Sequence, residues 1–399
     1  MRKNLEKGVL AVAALCAVFW GLQACRQLNP DPQPVEMTRI DVARALGRAH
    51  PSFEFEHEFC TVLSTLILSA WDESGDWKGD LQGDATAFAP MLLYAFAHDV
   101  QEDLLRIMAD RTVAHEARMV NQCLLWPVPS MEVVIGFPAL AQPFLATGDD
   151  RYRRTFLRGV RLGYVLARYF PGALTPFVSD RASVYGATAY LCFTAARMAD
   201  TADAREEFVL KGTALVEQAG DECWDGEEGR YTHQNMLDWP QGTMMMALVS
   251  AYRATGETRY LDQALSVLEY MDRCCLDEAG GFSGHPRPDT RALSGNNIMA
   301  WVFLDLYEAT RDRRYLERAR RVLAWIFSPD LFDPSEGLIS HHWSAEEGRA
   351  GYSCTGCNFH TLVCVYRYNT LLKQGLSRRD RPPQHLGEVA AAQRKIFSP

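Results

Sequence analysis

Apolar residues recur every three or four positions through most of the chain, which is the spacing of amphipathic helices. In the segment 258–272, for example, Leu261, Ala264 and Leu268 share one face. Such helices alternate with others, such as the segment 296–309, that are apolar around most of their circumference and are therefore expected to be buried. The pattern predicts outer helices near residues 53–70, 100–113, 150–168, 203–219, 258–272 and 312–326, and inner helices near 84–98, 131–146, 183–199, 239–255, 294–310 and 354–372.

A short motif precedes several outer helices. It reads Thr-Gly-Asp-Asp-Arg-Tyr at 147–152 and has related copies at 255–260 and 310–315, with a weaker copy from Thr201. Each copy leads from a turn into an amphipathic helix. Self-similarity of this kind predicts one repeating supersecondary unit and not several unrelated domains.

A second motif precedes three inner helices. It consists of an Asp, a turn that contains Gly, and then an aromatic or aliphatic residue, at 224–231, 276–282 and 332–338. A tight turn of this composition between apolar residues is typical of a short β-hairpin.

The predicted helices form six outer–inner pairs. One pair cannot bury its apolar face alone, and an open stack of pairs would need capping repeats at its ends. We therefore predict an all-α fold over residues 50–375, an (α/α)6 toroid of six helical hairpins with short β-hairpins at one end. The pattern resembles that of the six-hairpin glycosidase-like superfamily, in which the substrate cleft lies where the inner helices begin.

The first residues predict export. Arg2, Lys3 and Lys7 form a positively charged start, and the apolar run 8–22 suits a signal peptide but is short for a membrane-spanning helix. The run ends in Leu-Gln-Ala-Cys at 22–25, which resembles a bacterial lipobox.

On this interpretation residues 1–24 are a lipoprotein signal peptide, and Cys25 carries the lipid that anchors an extracytoplasmic protein to the membrane of the bacterial cell envelope. Residues 25–49, which include three prolines between positions 30 and 34, form an extended tether. Residues 376–399 form a C-terminal tail. A plain secretory peptide and an uncleaved anchor are the alternatives.

The net charge of −9 argues against a nucleic-acid partner, because binding to phosphates needs a basic surface. No cofactor motif is present in the sequence, and none is predicted.

The segments that begin the inner helices carry the candidate chemistry. Glu132, Asp238 and Asp84 are the proposed acid–base residues, and we expect them to be exposed in the funnel. Glycoside cleavage needs two such carboxyl groups, and flat aromatic faces suit a sugar ring. Asp180 has a comparable position, but an Asp before a helix is often only its N-cap. The candidate substrate-binding residues are Trp239, Trp343, Trp126, Asn296, Asn297 and His341.

One segment gives a closer resemblance. Residues 131–152 are similar to the stretch of unsaturated uronyl hydrolases that runs from a catalytic Asp through an apolar helix to Thr-Gly-Asp. The resemblance implies that Glu132 takes the place of that Asp. Glu132 and Asp238 lie two hairpins apart, so we expect the longer carboxyl separation of an inverting enzyme, roughly 6.5–9.5 Å.

The last inner helix carries the spacing Cys354-x-x-Cys357 followed by His360 and Cys364. Cys357, His360 and Cys364 share one helical face, so they are weak candidates for metal ligands, although one helix cannot easily supply four. A buried thiol cluster and a disulfide are the alternatives.

Together these features predict an extracytoplasmic carbohydrate-active enzyme, most simply a glycoside hydrolase that acts on oligosaccharides. Two other functions stay open. One is a catalytically silent lipoprotein that binds a glycan or a partner, and the other is a sugar epimerase that uses the funnel histidines His233, His341 and His360.

Overall fold

The computed structural model describes residues 42–49, 52–72, 74–79, 84–123, 137–174, 180–232, 238–284 and 289–377. The predicted signal peptide, Cys25 and the C-terminal tail from residue 378 lie outside the described residues. Within the described part of the chain, no helix is both long enough and apolar enough to cross a membrane.

Outer and inner helices alternate along the chain as predicted. A first short helix is α1 (Val42–Ala49). The outer helices are α2 (Glu56–Thr65, continued by a π-helical turn Leu66–Ala70), α4 (Asp103–Cys123), α6 (Arg153–Tyr169), α8 (Ala202–Cys223), α10 (Thr258–Cys274) and α12 (Arg313–Ile326). The inner helices are α3 (Asp84–Val100), α5 (Gln142–Thr147, preceded by a 3-10 turn Phe137–Ala141), α7 (Arg181–Met198), α9 (Asp238–Thr255), α11 (Leu293–Thr310) and α13 (Thr355–Ser377).

Burial separates the two layers. In α11 every residue from Gly295 to Tyr307 is buried, whereas α12 buries only the stripe that includes Leu316, Ala319 and Leu323. Small residues allow the inner helices to approach closely. A Cβ atom on Gly186 of α7, for example, would lie 2.7 Å from the backbone carbon of Thr243 in α9.

The ring closes between the last and first hairpins. Helix α13 packs against α3 and α2. At its start, the Thr355 N–H and hydroxyl donate to the carbonyls of Gly79 (3.1 Å) and Lys78 (2.6 Å). Near its other end, Asn369 exchanges two hydrogen bonds with the backbone of Glu54. The predicted toroid is therefore confirmed.

Two details differ from the prediction. Residues 42–49, which we assigned to the tether, form α1, whose Val42, Ala45 and Leu46 are buried in the core, so the folded body begins earlier. The second outer helix runs to Cys123, ten residues beyond the predicted end.

The short strands belong to hairpins that precede inner helices. Strands β1 (Trp224–Asp225) and β2 (Arg230–Tyr231) pair antiparallel. Strands β3 (Thr290–Ala292), β4 (His342–Ser344) and β5 (Gly348–Arg349) form a second sheet in that order, which joins the starts of α11 and α13. Single antiparallel bridges, Leu276 to Phe282 and Phe332 to Ile339, mark the other two predicted hairpins.

A fourth hairpin of this type joins Trp71 to Trp77. In all four hairpins the Asp after the first bridge residue accepts a backbone N–H bond with its side chain, and a Gly with positive φ closes the turn. The acidic stretch at 72–76 is therefore a copy of the repeat, and its Asp72 has a structural role in the turn.

Amide side chains fasten three of these hairpins to the inner helix that follows. Gln241 bonds both the N–H and the carbonyl of Tyr231, and Asn296 does the same with Phe282. Asn358 repeats the arrangement with Ile339. The same geometry in three repeats identifies these amides as part of the scaffold.

Candidate active site

Asp238 is the first residue of α9, at the end of the toroid where the hairpins lie. Its Oδ1 accepts the N–H of Trp239 at 3.0 Å, and its own N–H points to the carbonyl of Gly284 at 3.4 Å. The residue is only 2% exposed. The expectation of an exposed carboxyl is therefore wrong for Asp238.

Two glycines make the space for this carboxyl group. A Cβ atom on Gly295, in the first turn of α11, would lie 1.9 Å from Asp238 Oδ2, and one on Gly284 would lie 2.7 Å from Asp238 Cβ. Neither distance is possible for a real side chain, so both positions require glycine for the Asp238 conformation observed.

Burial raises the pKa of Asp238 to about 6, and the backbone N–H of Trp239 only partly offsets this effect. A carboxyl group with a pKa near 6 is about half protonated at pH 6 and about one tenth protonated at pH 7, far more than an ordinary Asp. It can therefore donate a proton to a leaving group, as a general acid must.

Asp180 provides a second buried carboxyl at the same end of the toroid. It caps α7, the inner helix adjacent to α9, and its Oδ1 accepts the N–H of Ser183 at 3.0 Å. Its Oδ2 is buried and has no hydrogen-bond partner among the residues that the structure describes. Burial raises the pKa of Asp180. From sequence it could not be told from an ordinary N-cap.

The other proposed acids, Glu132 and Asp84, lack a described side-chain position. Glu132 and Trp126 fall in the segment 124–136, outside the described residues. Asp84 begins α3, but its side chain is not among those described. The pairing of Glu132 with Asp238 therefore stays a prediction.

The two asparagines that we predicted to bind substrate have structural roles. Asn296 uses its whole amide, with bonds to Phe282 and to the Ala292 carbonyl. The Asn297 amide group donates to the Cys357 carbonyl at 2.8 Å and its Oδ1 accepts the Thr361 hydroxyl. Both are 0% exposed, so sugar binding by these amides is not supported.

Trp343 lies on β4 and His341 directly precedes that strand. Both are half-buried, as is Trp239 on α9. The Arg291 guanidinium lies 4.7 Å from the centre of the Trp343 ring and forms an ion pair with Asp277 at 2.6 Å. His341 stacks on Tyr352 with ring centres 5.1 Å apart. These side chains surround the starts of α11 and α13.

The weak metal candidates lie in an apolar environment. His360 stacks on Phe88 at 4.0 Å, and burial lowers the pKa of its imidazole to about 3. Cys357 and Cys364 are buried, and the Cys364 thiol points to the Asn297 carbonyl at 3.6 Å. Among the residues that the structure describes, no group of three or more His, Cys, Asp or Glu is arranged to hold a metal ion.

Comparison with solved structures identifies the architecture. An unsaturated glucuronyl hydrolase from Bacillus sp. GL1 superposes with a TM-score of 0.57 at 12% identity, over 84% of this chain and 99% of that one. A cellobiose 2-epimerase from Bacillus thermoamylovorans gives 0.58 at 13% identity, over 79% and 98%. A family 76 α-mannanase from Bacteroides thetaiotaomicron gives 0.55 at 10% identity, over 84% and 100%.

The chain has the fold of the six-hairpin glycosidases. In addition, residues 213–336 match the model of the catalytic domain of the family 127 β-L-arabinofuranosidases. The matched segment covers less than half of the chain and includes Asp238, Gly284 and Gly295. No curated protein matches the sequence significantly. The comparisons support a carbohydrate-active enzyme.

Proposed function

We propose that the protein is a glycoside hydrolase that cleaves oligosaccharides outside the cytoplasm, with Asp238 as its general acid. The observation that carries the proposal is the buried carboxyl of Asp238, whose pKa burial raises to about 6, at the start of an inner helix. Its place within the segment that matches a glycosidase catalytic domain supports the same assignment.

In this proposal Asp238 donates its proton to the glycosidic oxygen as the bond to the anomeric carbon breaks. A second carboxylate takes a proton from the water that attacks the anomeric carbon. Asp180 is the best-supported partner, because it caps the adjacent inner helix and presents a buried Oδ2. Glu132 is the alternative partner that the resemblance to uronyl hydrolases implies.

Of the three histidines in the epimerase alternative, His233 lies outside the described residues, and His360 does not fit the role of an acid. A funnel histidine that works as an acid must be protonated during turnover. Burial lowers the pKa of His360 to about 3, so this imidazole stays neutral at physiological pH.

The location is proposed on the sequence alone. The charged start, the apolar run and Cys25 support a lipid-anchored protein of the bacterial cell envelope. Oligosaccharides outside the cytoplasm would then be its substrates.

The experiment incubates the purified protein with p-nitrophenyl β-L-arabinofuranoside, p-nitrophenyl α-mannoside and an unsaturated glucuronyl disaccharide. Products are identified by mass and by NMR, since an isomer has the same mass as its substrate. We expect cleavage with addition of water, and Asp238→Asn should lower kcat at least about 100-fold. The control is Asp312→Asn, since Asp312 caps outer helix α12 on the surface. An isomerised product, or cleavage unaffected by Asp238→Asn, would contradict the proposal.

A further inference from the structure

Three rings form a cluster beside the candidate active site. His341 stacks on Tyr352 with ring planes 22° apart, and both rings contact His342, with centres 5.7 Å away. The Tyr352 hydroxyl also lies 3.3 Å from His341 Nδ1. The stacking and the hydroxyl contact fix the orientation of the tyrosine ring.

Backbone hydrogen bonds hold this cluster to the inner helices. The His341 N–H donates to the Tyr352 carbonyl at 3.0 Å, and its carbonyl accepts the N–H of Leu293, the first residue of α11, at 2.9 Å. The helix α13 begins three residues after Tyr352. The cluster is therefore preorganised, and its three side chains need little ordering when a ligand binds.

Tyr352 nevertheless remains 50% exposed, while Trp343 on β4 is half-buried. Because His341 covers one face of the tyrosine ring, the exposed part includes the other face. A flat apolar face with a polar edge is the surface on which a sugar ring packs. A tyrosine that only stabilised the fold would gain more by burial of that face.

The first turn of α11 connects the cluster to Asp238. Gly295 contacts the Asp238 carboxyl, and Leu293, two residues earlier in the first turn of α11, bonds the backbone of His341. Both contacts are made by the first turn of α11, so the cluster lies at the same end of the toroid as the proposed acid.

We propose that Tyr352, supported by His341 and His342, is a sugar-binding subsite at the rim of the funnel that holds a residue of the oligosaccharide next to the bond being cleaved. This inference rests on the proposed function and names its substrate class, since a rim subsite is of use only for a substrate longer than one sugar. Tyr352 is a binding residue in this account and takes no part in proton transfer.

The test uses Asp238→Asn as the parent protein. This variant should not cleave its ligand, so binding can be measured without turnover. Binding of arabinotriose, mannotriose and cellotriose, and of the three monosaccharides, is measured by titration calorimetry. We expect at least one trisaccharide to bind, and Tyr352→Ala in that parent to weaken it roughly tenfold, about the value of one aromatic stacking contact. Tyr352→Phe keeps the ring and should bind nearly as the parent does. Monosaccharide binding should not change.

The matched control is Tyr169→Ala, because Tyr169 is 65% exposed at the end of α6, in the outer layer of helices. The inference is overturned if no trisaccharide binds, or if Tyr352→Ala binds the trisaccharide as tightly as the parent does. Failure of the proposed function looks different: the wild type would cleave none of its substrates, while trisaccharide binding would still depend on Tyr352.

Discussion

Asp238 and Gly295 are in such close contact that a methyl group on Gly295 would lie 1.9 Å from Asp238 Oδ2. The two residues come from neighbouring inner helices, so this contact sets both the burial of the carboxyl group and its direction. It follows that the glycine in α11 is needed for the chemistry of a residue in α9.

Replacement of Gly295 by alanine should therefore displace the Asp238 carboxyl group and lower kcat at least tenfold, since misplacement of a catalytic group by about 1 Å is costly. The matched control is Gly220→Ala. Gly220 lies within α8 and a Cβ atom there would meet nothing within 4 Å. This control should keep full activity and gain about 0.5–1 kcal/mol of stability. Equal activity of Gly295→Ala and wild type would contradict the account.

Asp238 also predicts a dependence of stability on pH. Because its pKa in the folded state is raised to about 6 from an ordinary 3.8, the folded protein binds this proton more tightly than the unfolded chain does. The free energy of unfolding should fall as the pH rises from about 4 to above 6, by up to about 3 kcal/mol. The asparagine side chain of Asp238→Asn cannot ionise, so this variant should not show the same decrease in the free energy of unfolding.

Urea unfolding of both proteins at pH 4 and pH 8 measures the difference. We expect the variant to be the more stable protein at pH 8, while activity is lost. The account is contradicted if the free energy of unfolding of the wild type rises relative to that of Asp238→Asn between pH 4 and pH 8. That result would show that the folded protein stabilises the ionised carboxylate.

Arg311 offers a test of the repeat. Three inner helices are each followed by a residue in the left-handed conformation, which donates its N–H to the carbonyl four residues earlier. Two of these residues are Gly148 and Gly256. The third is Arg311, with φ 62°. Left-handed backbone costs a non-glycine residue roughly 1 kcal/mol. Arg311→Gly should therefore raise the free energy of unfolding by about 0.5–1 kcal/mol, and Gly256→Ala should lower it similarly. The same sign for both changes would refute the equivalence.

The toroid could be predicted because its repeat is local. Apolar periodicity and the Thr-Gly turn show in a few consecutive residues each. The same reasoning placed Asp238 at the start of an inner helix. It gave the wrong role to Asn296, because the partner of that amide is Phe282, 14 residues away across a hairpin.

Burial was the other quantity that the sequence could not supply. In the sequence, Asp180 and Asp72 are both acidic residues of segments that lead into inner helices. Only the packing shows that Asp180 Oδ2 is buried while Asp72 stays on a turn near the surface.

Export is tested on Cys25. Growth with a radioactive fatty acid should label the wild type, whereas Cys25→Ala should remain unlabelled, because the thiol is the proposed site of lipid attachment. Cys274→Ala is the matched control, since Cys274 is exposed on the folded body. Equal labelling of wild type and Cys25→Ala would remove the lipid anchor from the proposal.

The most direct test of Asp238 as general acid measures how the effect of Asp238→Asn on kcat/KM depends on the leaving group. Aryl glycosides of one sugar are compared, with leaving groups that range from phenol, which needs protonation, to 2,4-dinitrophenol, which departs as the anion. We predict that Asp238→Asn lowers kcat/KM for the phenyl glycoside by at least about 100-fold and has much less effect on the dinitrophenyl glycoside. An equal loss for both substrates would mean that Asp238 does not donate the proton.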